Sequence, residues 1–258
     1  MTPNSILGFI NAFDSGDQQK QLVVVNRTEP DPIQRIFQRA FGSQISVTEA
    51  SLEDAADNTV LLLDGETVLA TSSLESVMQS FLLINSDMYK TSLKGIEEYQ
   101  LPDVLSMMDE KVLTLRGYPA SNKEKLLLIA VSRYIEATAL SAGNGRLDAA
   151  FQRLSRLDDE FGTRQVYRRL SDSGVSVHTY GVSGRNWIRN EGLELSVHTK
   201  DTPEYRNSWF VVYTPEESGT GDAGALLAWE VDPNEWRSTW TFDPEWVHRI
   251  QGYIVENF

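Results

Sequence analysis

Apolar residues recur along this chain at two different spacings, and the switches between them mark out its elements. Ile6, Phe9, Ile10 and Phe13 follow the i, i+3, i+4, i+7 rule of an amphipathic helix. The β-branched run at residues 22–25 reads as a buried strand. Ile33, Ile36, Phe37, Ala40 and Phe41 predict a second helix, with Gly42 as its stop. Residues 44–48 and 59–63 read as strands, and Asp64-Gly65 turns the latter into 67–71 as a hairpin. A helix is expected over 73–84 and a short strand over 112–116, before the Gly117-Tyr118-Pro119 turn.

From Ser121 or Asn122, either of which can cap, a helix is predicted to residue 142, with Leu127, Val131, Ile135 and Thr138 on one stripe. Gly143-Asn144-Gly145 breaks it. Leu147, Ala150, Phe151, Leu154 and Leu157 fit a further helix, and Thr163 is expected to cap another that carries Val166, Tyr167 and Leu170 inward. Strands follow at 175–180, 193–198, 208–213, 225–231 and 237–242. Asp243 as N-cap and Pro244 at the first helical position open a last helix that buries Val247, Ile250 and Ile254. The expected fold is α+β: a mixed, mainly antiparallel sheet flanked by helices. An N-terminal α/β lobe is expected over residues 1–119 and a second lobe over 120–258, the two lobes forming either separate domains or one.

Composition removes whole classes of function. There is no cysteine among the 258 residues, so disulfides, thiolate catalysis and cysteine-based metal sites are excluded. A net charge of −14 argues against direct nucleic-acid binding, which needs a positive footprint. Sixteen arginines stand against seven lysines. That acidic, lysine-poor balance suits a salt-rich, halophile-like cytoplasm as well as an ordinary cytosol. The longest apolar run, residues 126–131, is far below the ~20 residues of a membrane span, and no basic leader precedes an apolar core. A cytoplasmic protein without membrane insertion is expected.

Candidate chemistry concentrates late in the chain. Six tryptophans, Trp187, Trp209, Trp229, Trp236, Trp240 and Trp246, fall in the last third. Trp236, Ser238, Trp240 and Phe242 share one strand face, as a pocket for a flat ligand would require, or a tryptophan-rich core or subunit interface. His178 shares a face with Ser176 and Tyr180, and His198 with Glu194 and Ser196. If those strands pair, the histidines converge as ligands or as an acid/base couple. His248 lies beside the apolar stripe of the last helix. No third ligand stands at metal-site spacing, and no Gly-x-Ser-x-Gly elbow marks a nucleophile. Asp158-Asp159-Glu160 reads as a solvated corner. Arg164 and Arg168, at i, i+4, suit an anion such as phosphate or surface ion pairs with neighbouring carboxylates.

One family matches an ordered set of these segments. Lys123 to Ile129 with Ser132-Arg133-Tyr134-Ile135-Glu136, Phe151 to Arg156, Tyr167 to Leu170, Val177-His178-Thr179-Tyr180-Gly181, Ser208 to Tyr213 and Trp240-Thr241-Phe242 together resemble the DICT sensory domain in its standalone haloarchaeal form. The resemblance covers roughly residues 120–258, and Asn85-Ser86-Asp87 and Arg116-Gly117-Tyr118-Pro119 resemble the preceding segment of that form. It implies sensing or signal relay, with light among the candidate inputs, and supplies neither catalytic residues nor an established ligand or cofactor.

The expectation from this sequence is a non-enzymatic sensor that binds a small ligand or chromophore in the aromatic C-terminal lobe and acts through a protein partner. His178, Tyr180, His198, Trp209, Trp229, Trp236 and Trp240 are the expected ligand residues. The helix of residues 123–142, with Arg133 and Glu136 on its polar sides, is a candidate interaction element or a core helix. The main alternative is a ligand-free interaction adaptor, including a homo-oligomer, with the tryptophans in core and interface. A hydrolase using His178 or His198 with a carboxylate is the third reading.

Overall fold

The computed structural model describes residues 3–14, 20–28, 45–82, 99–117, 124–159, 161–183, 193–216 and 222–258. The predicted helix at 33–41, the caps at 121–122 and Trp187 lie outside them. Helix α1 (Ile6–Phe13) opens the chain, capped by the Ser5 hydroxyl, which accepts from the Gly8 amide. A four-stranded sheet follows, built from β1 (Lys20–Val25), β2 (Ser46–Ala50), β3 (Thr59–Asp64) and β4 (Thr67–Ser73) in the order β2-β1-β3-β4. Strand β1 is parallel to β2 and antiparallel to β3, so the sheet is mixed. Helices α2 (Leu74–Leu82) and α3 (Asp103–Ser106) lead to β5 (Leu113–Arg116).

The larger sheet has seven strands in the order β5-β11-β10-β9-β6-β7-β8. Its remaining elements are α4 (Glu124–Ala142), β6 (Arg146–Arg153), α5 (Arg156–Asp159), α6 (Phe161–Ser171), β7 (Ser176–Val182), β8 (Ser196–His198), α7 (Pro203–Asn207), β9 (Ser208–Thr214), β10 (Gly224–Asp232), β11 (Glu235–Thr241) and α8 (Pro244–Asn257). Strands β6, β7 and β8 run parallel and the other pairings are antiparallel. Two mixed sheets with separate helices make this an α+β fold. Among the described residues no helix is long and apolar enough to cross a membrane.

Residues 147–157 are the clearest correction to the sequence reading. Leu147, Ala150, Phe151 and Leu154 fit a helical period, yet residues 146–153 form β6, in the middle of the large sheet. Residues 147–150 are buried without alternation because both faces of this strand are covered, which removes the two-residue signature of a strand. The Gly143-Asn144-Gly145 break aims the chain into the sheet. Gly145 has φ +83, and a Cβ there would overlap the Thr214 carbonyl oxygen, so only glycine lets β6 start beside β9.

Each face of the large sheet supports its own core. On one side Leu147, Ala149, Val211, Tyr213, Leu226, Trp236 and Trp240 pack with Leu127, Val131 and Ile135 of α4 and with Tyr167 of α6. That core continues into Leu22, Val24, Val60 and Leu62 of the small sheet. On the other side Ala150, Tyr180, Phe210 and Leu227 pack under Phe9 and Ile10 of α1 and Val247, Ile250 and Ile254 of α8. Asp243 caps α8, accepting from the Glu245 amide at 2.7 Å. Elements from before residue 119 thus enter the large sheet: β5 pairs with β11, and α1 covers β10 and β11.

Two further expectations change. Arg133 and Glu136 do not lie on polar sides of α4; they are 7% and 1% exposed and paired with each other. Thr163 does not cap α6, which begins at Phe161; its buried hydroxyl accepts from Arg133 Nη2 at 2.8 Å. Tyr167 completes the set, donating to Glu136 Oε1 at 3.0 Å. A helix that must cover a sheet on one side and α6 on the other has no solvent face left for this pair, so the charges are neutralised internally.

Candidate functional site

Alternation along β6, β7 and β8 brings one polar row to a single face of the sheet. The register places Asp148 opposite His178 and His178 opposite Ser196, with Ala150, Tyr180 and His198 in line one step further along. His178 and His198 therefore converge. Their facing nitrogens, Nδ1 of His178 and Nε2 of His198, are 3.1 Å apart, and Ser176 Oγ is 3.1 Å from His178 Nε2. The His198 ring lies flat on Tyr180, with centroids 4.6 Å apart and planes 13° apart.

A buried carboxylate holds this row in place. Asp148 is fully buried and receives Arg146 Nε and Nη2, at 2.9 Å and 2.7 Å, in a forked pair. The Tyr180 hydroxyl donates to the same carboxylate at 2.7 Å and accepts from Arg146 Nη2 at 3.1 Å. Gln251 of α8 reaches Asp148 Oδ2 at 3.5 Å. Burial, followed by the nearby Asp148 charge, pushes the Tyr180 hydroxyl far up, so it remains a donor. Burial is also the largest effect on both histidines and lowers them from 6.5; the Arg146 charge adds to it, and Asp148 opposes it.

An aromatic floor supports the row. Tyr180 meets Phe210, Phe258 and Tyr205 at centroid distances of 5.6, 5.8 and 6.4 Å. The Tyr205 hydroxyl, pushed up to about 12 by burial, donates to the Phe258 carbonyl oxygen. Lys200 lies 5.9 Å from the Tyr205 ring centroid and donates to Asn257 O at 3.1 Å. Strand β8, helix α7 and the end of α8 are thereby tied together.

The tryptophans lie elsewhere. Trp209 and Trp236 meet edge to face at 5.9 Å on the opposite side of the sheet, with Lys125 Nζ 5.4 and 5.7 Å from their rings. Trp236 and Trp240 are buried in that core; Trp240 Nε1 donates to Leu105 O at 3.1 Å, while Trp236 Nε1 has no hydrogen-bond partner among the described residues. Trp229 shares the face of His178, but β9 and β6 separate its strand from β7. The seven expected ligand residues thus divide into a row of half-exposed His178 and His198 on buried Tyr180, a separate Trp229, and a core cluster of Trp209, Trp236 and Trp240. Arg164 and Arg168 are exposed on α6. Among the described residues no group of three or more His, Asp or Glu is arranged to hold a metal.

Asp148 and Arg146 escaped the sequence reading because residues 147–157 looked helical. Once the segment is a central strand, an acid inside a continuous apolar run is the missing signal, since such a residue needs a partner. Gln152 was missed for the same reason. It has φ 59 where the β6–β7 register slips, and its amide donates to Glu230 Oε2 at 2.7 Å.

Residues 103–230 match the family model described as DICT, the sensory domain in diguanylate cyclases and two-component systems. The match begins ahead of the main resembling stretch, residues 120–258, and ends before β11. It includes α3, α4 and all of Arg146, Asp148, His178, Tyr180 and His198, and omits Trp236, Trp240 and α8. No curated protein matches the chain. Through residues 103–230, the chain belongs to the DICT family of sensory domains.

Proposed function

We propose that the protein is a non-enzymatic sensor whose input site is the row of Arg146, Asp148, Tyr180, His178 and His198, and that a small ligand bound there alters a surface read by a protein partner. The observation that carries this is the fully buried Asp148, which fixes Tyr180 and, through it, the half-exposed His198. Unlike the enclosed Glu136, this acid anchors a network that runs out to half-exposed rings, and a recognition site gains fixed geometry from such an anchor. Relay further requires that the ligand bind one conformation better than another.

A specific observation also favours the adaptor. Trp236 and Trp240 are packed away from water, which suits a purely structural aromatic cluster. The hydrolase reading has less support. Ser176, His178 and His198 form a hydroxyl–imidazole–imidazole sequence, but the Ser176 amide, a natural oxyanion donor, is bonded to Gly145 O at 2.8 Å.

The test is a thermal-shift panel of carboxylic acids, sugar phosphates, nucleotides, flavins and tetrapyrroles on the full chain. At 100 times its Kd a ligand adds about 2.7 kcal/mol to stability. A compound that stabilises the wild type but not Tyr180→Phe or His198→Gln supports the proposal. One that ignores those changes but is lost in Trp209→Ala moves the site to the other face. A panel without a stabiliser, together with a defined oligomer or partner complex, supports the adaptor.

A further inference from the structure

The geometry of the two histidines restricts how many protons they can hold. Their centroids are 5.4 Å apart for a nitrogen contact of 3.1 Å, with planes 21° apart. The centroid separation equals the contact plus one ring radius at each end, so both nitrogens lie on the line joining the rings. This is an edge-on N–H···N hydrogen bond, and a metal ion held between them would instead bend that line. One proton fits between the nitrogens. His178 Nε2 faces a hydroxyl, Ser176 Oγ, which donates or accepts and therefore accommodates either tautomer. The pair can carry one positive charge, shared across the bond. A second proton sets N–H against N–H and breaks it.

The surroundings do not offset a second charge. Strand β6 presents Arg146 and Asp148, β7 presents Ser176 and Tyr180, β8 and the residue pair beyond it present His198 and Lys200, and α8 sends Gln251 to Asp148. Asp148 is the anion acting on both rings, and the Arg146 fork already neutralises it. Strand β8 is also the element least able to resist. It has three residues, lies at the sheet edge and pairs with β7 alone among the described residues, and its His198 side chain rests on His178 and Tyr180.

We propose that a second proton on the His178–His198 pair releases strand β8 from the edge of the sheet, so that acidity is itself a signal read at this site. The inference deepens the sensory reading of this face and rests on it. Burial, the largest effect on both rings, favours the uncharged pair in the closed state. The released strand takes up protons with ordinary affinity, so release grows as pH falls below 6.5. Each pKa unit by which the closed pair lies below the released one gives about a tenfold gain in release.

The experiment is an NMR titration of the full chain with labelled histidine, from about pH 8 to about pH 5. The proposal expects His178 and His198 to titrate as a coupled pair in two steps, both below the ordinary 6.5, with the Ser196–His198 amides leaving their strand positions at the second step. In His198→Gln the remaining imidazole titrates in one step and β8 stays closed. Independent single-step titrations with unmoved β8 amides overturn the proposal, as does β8 release that persists in His198→Gln. If that variant does not fold, the wild-type curve decides alone. Ligand stabilisation that depends on Tyr180 can survive a negative result here, so failure of the latch is distinguishable from failure of the site.

Discussion

Two clusters in this protein join an arginine, a carboxylate and a tyrosine hydroxyl, and they differ in how far water reaches them. Between α4 and α6, Arg133, Glu136, Thr163 and Tyr167 are all buried, and each polar partner meets another within the set. At the sheet margin, Arg146, Asp148 and Tyr180 repeat the combination, but only the carboxylate and the tyrosine are buried, and the network continues outward into His178, His198 and Ser176. The first is an enclosed set that fixes helix on helix. The second has a buried anchor and an open end, which a signal can reach without dismantling the core. The same groups thus serve architecture when enclosed and recognition when one end is left wet.

The largest effect that would sharpen this contrast is in the closed cluster. Glu136→Leu removes the carboxylate that faces the buried Arg133 guanidinium and is expected to lower stability by about 3–5 kcal/mol in urea unfolding. Arg133→Met combined with Glu136→Leu should recover part of that loss, because the buried guanidinium is then removed together with its carboxylate. At the margin, Asp148→Ala should cost less, about 1.5–3 kcal/mol, since Arg146 is partly exposed and can return to water. Equal losses at Glu136 and Asp148 would erase the distinction. Tyr180→Phe removes one hydroxyl from the row and should cost about 1 kcal/mol, while changing the His198 titration in NMR.

The smallest effect is in pH dependence. Both histidines are lowered in the folded chain, so the unfolded chain binds more protons in the window between the lowered values and 6.5. Stability should fall as pH drops through that window and show no further histidine-linked loss below it. The difference in urea midpoint between wild type and His178→Gln/His198→Gln, measured across the same pH range, isolates this contribution from the carboxylates. A constant difference would mean that the pair is not linked to folding.

Much of the framework was legible in the sequence, because its signals were local. The β3–β4 hairpin announced itself through Asp64-Gly65 and α8 through Asp243-Pro244, where turn and cap chemistry act within a few residues. The convergence of His178 and His198 was legible only as a condition, since strand pairing at long range has no local signature; the parallel β7–β8 register supplies it. Strand β6 was illegible because a strand buried on both faces loses its alternation. Its helical spacing concealed Arg146 and Asp148, the residues that organise the row. Arg133 and Glu136 misled for a related reason: charges three apart on a helix normally face water, and nothing local revealed that Tyr167 and Thr163 would enclose them.

The most direct measurement is hydrogen exchange of the full chain with and without the strongest stabiliser from the ligand panel. The account predicts added protection at residues 176–182 and 196–198, with the Trp209–Trp236 strands unchanged. Protection confined to 208–214 and 235–241, with β7 and β8 unaffected, would place recognition on the tryptophan face and contradict it.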